Sequence, residues 1–501
     1  MTLFPRLRYC YLLLFIGTLT ACQPVDKQKV IHFGLAQAPV TLDPRFATDA
    51  ASSRINRLLY HALIDFDAQF KPIPDLATWE QLNATTYRFH LGEQGRMFHH
   101  GQHLNADDVK ATYDFILESR NASPHRGSLI NIQQIIVVNA DTIDFQLSKP
   151  DPLFIGRLGL GIVPAGLIQQ QHPFNKQPIG SGEFRFLTWS QNSELHIERI
   201  EDKQEIQFLE VKNPTVRALK LRRGELDILQ DDLPPELIRW LQQQTGVTVT
   251  FGRGTSFAYL GFNLADPTTH NLLIRQAIAY ALNRETIIHY MLGDAARLAT
   301  SILDPQHWAG NPDLEPYPYN PQKARELLQQ AGYNAENPLY ITYKTSSNPF
   351  RIRIATVIQQ QLAEVGIIVS LRTYDWGTFY GDIKAGRFQM FSLSWIGIKM
   401  PDIFRYAFHS NSLPPNGANR GRLHDTEVDH LIEQAEQTPD LDMQAHYYRQ
   451  IQTRLHAELP YIPLWYENIT LVTRQSITGY HLSPDGNFDS LITTQMMVKP
   501  E

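Results

Sequence analysis

The chain of 501 residues is 43% hydrophobic and 19% charged, with a formal net charge of −6. That is the balance of a globular protein of about two or three domains. Without Arg6 and Arg8, the only charges among residues 1–21, the net charge is −8, which argues against a nucleic-acid partner, since a phosphate backbone calls for a concentrated basic patch.

Arg6 and Arg8 precede an apolar run, YLLLFIGTL at 11–19, which ends in Leu19-Thr20-Ala21-Cys22. The run is shorter than the ~20 residues that span a bilayer, so 1–21 reads as a secretory signal. A cysteine directly after the small residue looks like a bacterial lipobox, with cleavage before Cys22 and lipid on its thiol. Cys10 would leave with the leader, and these are the chain's two cysteines. The mature fold therefore rests on its core alone, without disulfide or thiol nucleophile, and about 480 residues are ample for that.

In chain order, 30–38 reads as a strand, and Ser52 or Ser53 caps a helix with Ile55, Leu58, Leu59 and Ala62 on one face. Residues 87–91 read as a strand. Asn105 caps the next helix, with Asp107 and Asp108 in its first turn where carboxylates complement the dipole. The strands 135–138 and 143–147 flank Asn139-Ala140-Asp141 as a hairpin. A helix over 215–223 is closed by Gly224. Further on, strand 339–344, helix 349–365, strand 367–372, helix 376–385 and strand 388–394 form a βαβαβ series, expected to be parallel with right-handed crossovers. Ligands of open α/β sheets bind beyond the carboxyl ends of the strands, which is where the loop 395–402 lies.

Six segments, in order, then resemble one family. They are YRFHLGEQGRMFHHGQHLNADDVKATYDFIL (87–117), QPIGSGEFRF (177–186, with Glu183 where proline is usual), LGFNLADPTTHNLLIRQAIAYALNRETII (260–288), YNPQKARELLQQAGY, QLAEVGIIVSLRTYDWGTF and ELPYIPLWY (458–466). They look like the family-5 extracellular solute-binding proteins, the dipeptide, oligopeptide and nickel-binding components of ABC importers. The resemblance implies an α/β fold of the type II periplasmic-binding-protein kind, two lobes with a small extra domain. The first lobe would comprise 29–48, 151–254 and 469–501, the extra domain 49–150 and the second lobe 255–468, with a hinge near Gly254 and Tyr466. It further implies a monomer in the periplasmic space, anchored through Cys22, that hands a peptide or peptide-like solute to a membrane permease. A non-peptide solute (an oligosaccharide, an opine-like compound or a metal chelate), an exported hydrolase and a sensor that reports ligand occupancy are the alternatives.

Candidate ligand-binding residues are Trp395, Lys399, Asp402 and Arg405 around the loop, Asn419, Arg420 and Arg422 in NGANRGRLHD, and Thr48 and Asp49. The indole can stack on a ligand and the guanidinium groups can hold an anion bidentately. His99, His100 and His103 have no metal-site spacing, and His99 falls at a family position that is structural. Arg275 and Asn283-Arg284 read as fold residues. No cofactor is expected, and no G-x-S-x-G, H-E-x-x-H or phosphate-cradling motif is present. In the peptide-binding relatives an aspartate three residues after this tryptophan receives the peptide's ammonium group, whereas here that position is Ile398. Either Asp402 swings in to replace it, or the ligand has no ammonium there and Lys399 with the arginines reads an anionic or neutral polar group.

The lipobox makes a direct prediction. Wild-type protein should partition into the detergent phase with a lipid-modified Cys22 by mass spectrometry, and Cys22→Ala should yield a soluble or uncleaved chain.

Overall fold

Two strands, Val247–Phe262 and Tyr461–Arg474, are far longer than the rest and pair antiparallel along their length. They belong to a computed structural model that describes residues 30–190, 194–293, 295–415 and 417–497. The leader and Cys22 lie outside the described residues. Among the described residues one sheet holds eleven strands. Its order is Ile367–Tyr374, Leu339–Ser346, Met390–Trp395, the two long strands, Ile228–Gln230, Ile31–Leu35, Glu205–Glu210, Glu194–Arg199 and Phe184–Trp189, with Ala296–Leu298 beside Tyr461–Arg474.

In the second lobe Leu339–Ser346 is parallel to both Ile367–Tyr374 and Met390–Trp395, the expected βαβαβ unit. The connecting helix Pro349–Ala363 starts where Asn348 accepts the N–H groups of Phe350 and Arg351, and it buries Ile354, Ala355, Ile358 and Leu362. In the first lobe Ile31–Leu35 is parallel to Glu205–Glu210 and Ile228–Gln230. The long strands join the lobes, and their register slips between Gly252 and Ser256, the crossing expected near Gly254 and Tyr466. A Cβ on Gly254 would lie 2.4 Å from the Glu467 carbonyl oxygen, so only glycine fits there.

Several local expectations shift. The first strand is Ile31–Leu35 and the last of the βαβαβ unit is Met390–Trp395. The helix Ala50–Leu59 is capped by Asp49, which accepts the Ser52 N–H. The Ser52 hydroxyl instead accepts the N–H groups of Val40 and Thr41, tying the preceding loop down, and Ala62 lies beyond the helix. Apolar packing also moves two expected boundaries. Ile55, Leu58 and Leu59 pack with Phe33 and Phe208 of the first lobe. Phe154, Ile155, Leu158 and Ile162 pack with Phe89, Tyr113 and Phe145 of the small domain. The switches thus fall near residues 60 and 162 rather than at 48/49 and 150/151, because a helix follows the core that its apolar face joins.

The turn Gly180-Ser181-Gly182 wedges into this junction. A Cβ on Gly180 would meet the Leu59 carbonyl oxygen at 2.0 Å, and one on Gly182 the Leu58 oxygen at 2.5 Å. Gly182 N–H donates to that Leu59 oxygen at 3.0 Å and His99 N–H donates to Gly180 O at 2.8 Å. Overpacking against backbone costs about 1–3 kcal/mol. Gly180→Ala should therefore lower the calorimetric melting temperature by several degrees, whereas Gly127→Ala, where nothing lies within 4 Å, should leave it unchanged or raised.

Asp231 follows Ile228–Gln230 with φ +60, exchanges hydrogen bonds with Thr470 of the long strand and lies 3.8 Å from Arg54. Burial, opposed by the Thr470 N–H and Arg54 and reinforced by Asp232 and Glu467, pushes its carboxyl up to about 6. An unfolded aspartate titrates near ~3.9. The folded state therefore binds the extra proton between roughly pH 4 and 6, and stability falls as pH rises through that window. Asp231→Asn keeps an acceptor for Thr470 and removes the charge. It should be more stable than wild type at pH 7.5, by roughly 1–3 kcal/mol, and this advantage should fade as pH drops from 6 to 4 in a thermal-melt series.

Candidate functional site

The helices that follow parallel strands of the two lobes approach each other. Helix Pro349–Ala363, which follows Leu339–Ser346, meets helix Pro235–Gln242, which follows Ile228–Gln230, through the pair Arg353–Glu236 at 3.0 Å. Beside them the strand Met390–Trp395 ends and its loop begins.

Trp395 ends its strand among aromatic and cationic neighbours. The Arg420 guanidinium lies 4.6 Å over its ring and 5.4 Å over that of Tyr380. Tyr406 meets the indole edge-on at 6.0 Å, and Trp376 stacks on Tyr380 at 5.3 Å. The outer members, Trp376 and Tyr406, are exposed, whereas Arg420 is only 7% exposed. Its partners are not carboxylates: the guanidinium donates to the hydroxyls of Tyr259 and Tyr380, each at 3.1 Å. Burial works against its charge, but Tyr259, Tyr461 and Tyr380 more than offset that and hold the guanidinium firmly protonated.

Beyond Trp395 the loop reaches the rest of the molecule. Ile396 is 72% exposed, whereas Ile398 is 8% exposed and packs with Phe257, Phe379 and Phe404. Lys399 Nζ pairs with Asp485 of the first lobe at 3.1 Å. Burial raises the Asp485 carboxyl, but Lys399, the Ser483 hydroxyl and the Asn487 N–H together hold it below the usual range. The Lys399 carbonyl accepts His307 Nε2–H at 3.0 Å, while His307 Nδ1 accepts the Ala309 N–H. Burial drops His307 to about 4, so the ring is neutral with its proton on Nε2. Met400 packs where a Cβ on Gly156 would touch it, and Asp402 pairs with Arg157 at 3.3 Å.

Of the candidates named from sequence, the structure gathers Trp395 and Arg420 on one wall and sends Lys399 and Asp402 into pairs across the molecule. Asp402 is therefore not beside Trp395 as a substitute clamp. Arg405 is held by Glu436 at 2.5 Å. Asn419, 1% exposed, bonds His409 and Leu423 and staples its own loop. Arg422 packs over Gly386. Asp49 is a helix cap with exposed Thr48 beside it. Arg405 and Arg422 meet partners on other elements, which spacing alone does not reveal, whereas Asn419 and Asp49 bond within their own loop and helix. His99 bonds the Gly182 carbonyl at 2.9 Å, and among the described residues no three His, Cys, Asp or Glu side chains gather to hold a metal ion.

Other groups at the crevice have no local sequence signal. Glu467, at the register slip of the long strand, lies 3.3 Å from Arg351 and 3.4 Å from the Ser394 hydroxyl. Glu210 Oε1 accepts the Ala38 N–H at 3.1 Å in the first lobe. The positive φ values of Asp231 and Asp232 mark the facing loop. No helix among the described residues is long and apolar enough to cross a membrane.

The di/tripeptide-binding protein 2 of Pseudomonas aeruginosa is 27% identical over 521 residues, covering 95% of this chain and 97% of its own. The structure of HbpA2 from Haemophilus parasuis superposes with a TM-score of 0.83 at 24% identity, covering 94% of this chain and all of that one. The ABC transporter-associated periplasmic binding protein DppA from Helicobacter pylori, in complex with the peptide STSA, superposes with a TM-score of 0.70 at 25% identity, covering 94% and 98%. The profile of the bacterial extracellular solute-binding proteins, family 5 Middle, matches residues 71–413. The two lobes, the strands that join them and this match make the chain a member of the family-5 bacterial extracellular solute-binding proteins.

Proposed function

We propose that the protein captures a short peptide or peptide-like solute between its lobes and delivers it unchanged to an ABC permease in the membrane. One observation carries this: two lobes, whose helices Pro349–Ala363 and Pro235–Gln242 meet through Arg353–Glu236, are joined by the long strands, with Trp395 and Arg420 at the carboxyl end of a second-lobe strand. Relatives over nearly the whole chain include a di/tripeptide-binding protein and a peptide complex. Both halves of the crevice come from one chain, so a monomer suffices. Lipid on Cys22 would hold it at the membrane outside the cytoplasm, near the permease. Binding works by hinge closure, the solute stabilising the closed state through its differential affinity.

A non-peptide solute is the second reading, and the burial of Ile398 in the second-lobe core favours it, since no carboxylate stands at that position for an ammonium group. Native mass spectrometry of freshly purified protein identifies the retained solute and separates the two readings. Adding that solute should shrink the radius of gyration in small-angle scattering. At 100 times its dissociation constant it should stabilise the fold by about 2.7 kcal/mol. The solute should be recovered intact, and its conversion by clean protein would move the chain to the exported hydrolases.

A further inference from the structure

The loop after Trp395 carries two charges, and neither is free for a solute. Lys399 is committed to Asp485 and Asp402 to Arg157, while Ile398 points into the core. Of the arginines named from sequence, Arg405 is held by Glu436 and Arg420 lies within its tyrosines. Any recognition of solute charge in the crevice must come from elsewhere.

Beside the register slip, Glu467 pairs opposite Ser256. The Ser394 hydroxyl is 3.4 Å from its carboxylate, and Gly397 N–H lies 3.4 Å from the Ser256 hydroxyl. These polar groups sit where the strand Met390–Trp395 ends. One third of the Glu467 side chain is exposed, as is much of its partner Arg351. Arg351 stands in the first turn of helix Pro349–Ala363, whose N-terminus adds positive potential. Arg351 and Glu467 thus set a positive and a negative group side by side at the start of the helix.

Resting on the peptide reading above, we propose that Glu467 receives the ammonium group of the bound solute, displacing Arg351, and that the solute is zwitterionic. The chemistry follows from closure. With about a third of each side chain open to solvent, this pair is held less tightly than a buried one, and unlike Lys399–Asp485 and Asp402–Arg157 it does not tether the loop after Trp395. Once the lobes close and water leaves, a solute with a cation alone would strand Arg351, and one with an anion alone would strand Glu467. An unpaired buried charge is strongly unfavourable, whereas a zwitterion satisfies both.

The test is calorimetry on the mature full-length protein with a panel of free dipeptides bearing apolar, acidic and basic side chains. The tightest is then compared with its N-acetyl and C-amide forms. Wild type should bind the free form about 100-fold more tightly than the N-acetyl form. Glu467→Gln, which keeps an acceptor for Ser394, should lose about 100-fold for the free form and no longer separate the two. Glu467→Asp, which retains the charge one methylene further back, should fall between. An unchanged melting temperature of the ligand-free variants excludes misfolding as the cause. If Glu467→Gln still rejects the N-acetyl form, the assignment of Glu467 is overturned while the peptide reading stands. If no form of any peptide binds wild type and native mass spectrometry finds a different retained solute, both fall.

Discussion

The molecule depends on the antiparallel pairing of Val247–Phe262 with Tyr461–Arg474. Most two-lobed chains could be imagined as two sheets tethered by loops. Here one sheet passes through both lobes, and its backbone hydrogen bonds fix where each lobe begins relative to the other. Such a joint bends only where the ladder is weak. The slip between Gly252 and Ser256 supplies that weakness, and the close approach of Gly254 to the Glu467 carbonyl keeps side chains out of it. Because Glu467 stands at the slip, the group we assign to the solute's ammonium sits at the hinge, where a displaced ion pair is coupled most directly to closure.

Charge placement around the crevice follows a consistent logic. The buried guanidinium of Arg420 has no carboxylate; aromatic faces and phenol oxygens hold it instead. That arrangement fixes the orientation of Trp395 without adding a negative group to the crevice wall. The loop charges Lys399 and Asp402 reach across to Asp485 and Arg157 and position the loop. Those two residues thus tie the loop to the rest of the molecule, and the pair Arg351–Glu467 keeps about a third of each side chain exposed.

Ile398 shows how burial restricts which side chain this position can carry. The side chain lies among Phe257, Phe379 and Phe404, so a carboxylate would be desolvated without a partner.

Much of the fold was legible in the sequence because its signals are local. Asn105 and Asp108 form a capping box, Gly224 and Gly386 end their helices in left-handed conformations, and alternating helix and strand patterns mark the parallel unit. Trp395 and Arg420 were also legible as candidates, since a large aromatic or a cation in a loop stands out by residue type. The sequence could not decide which charges would be used up. Lys399 finds Asp485 at a separation of 86 residues, Asp402 finds Arg157 at 245, and Arg351 finds Glu467 at 116. Electrostatic pairing depends on distance in space, and only the tertiary structure sets that distance. Likewise, Glu467 is an ordinary strand residue by pattern, and it becomes a candidate site only because the joint between the lobes brings its carboxylate beside Arg351 and Ser394.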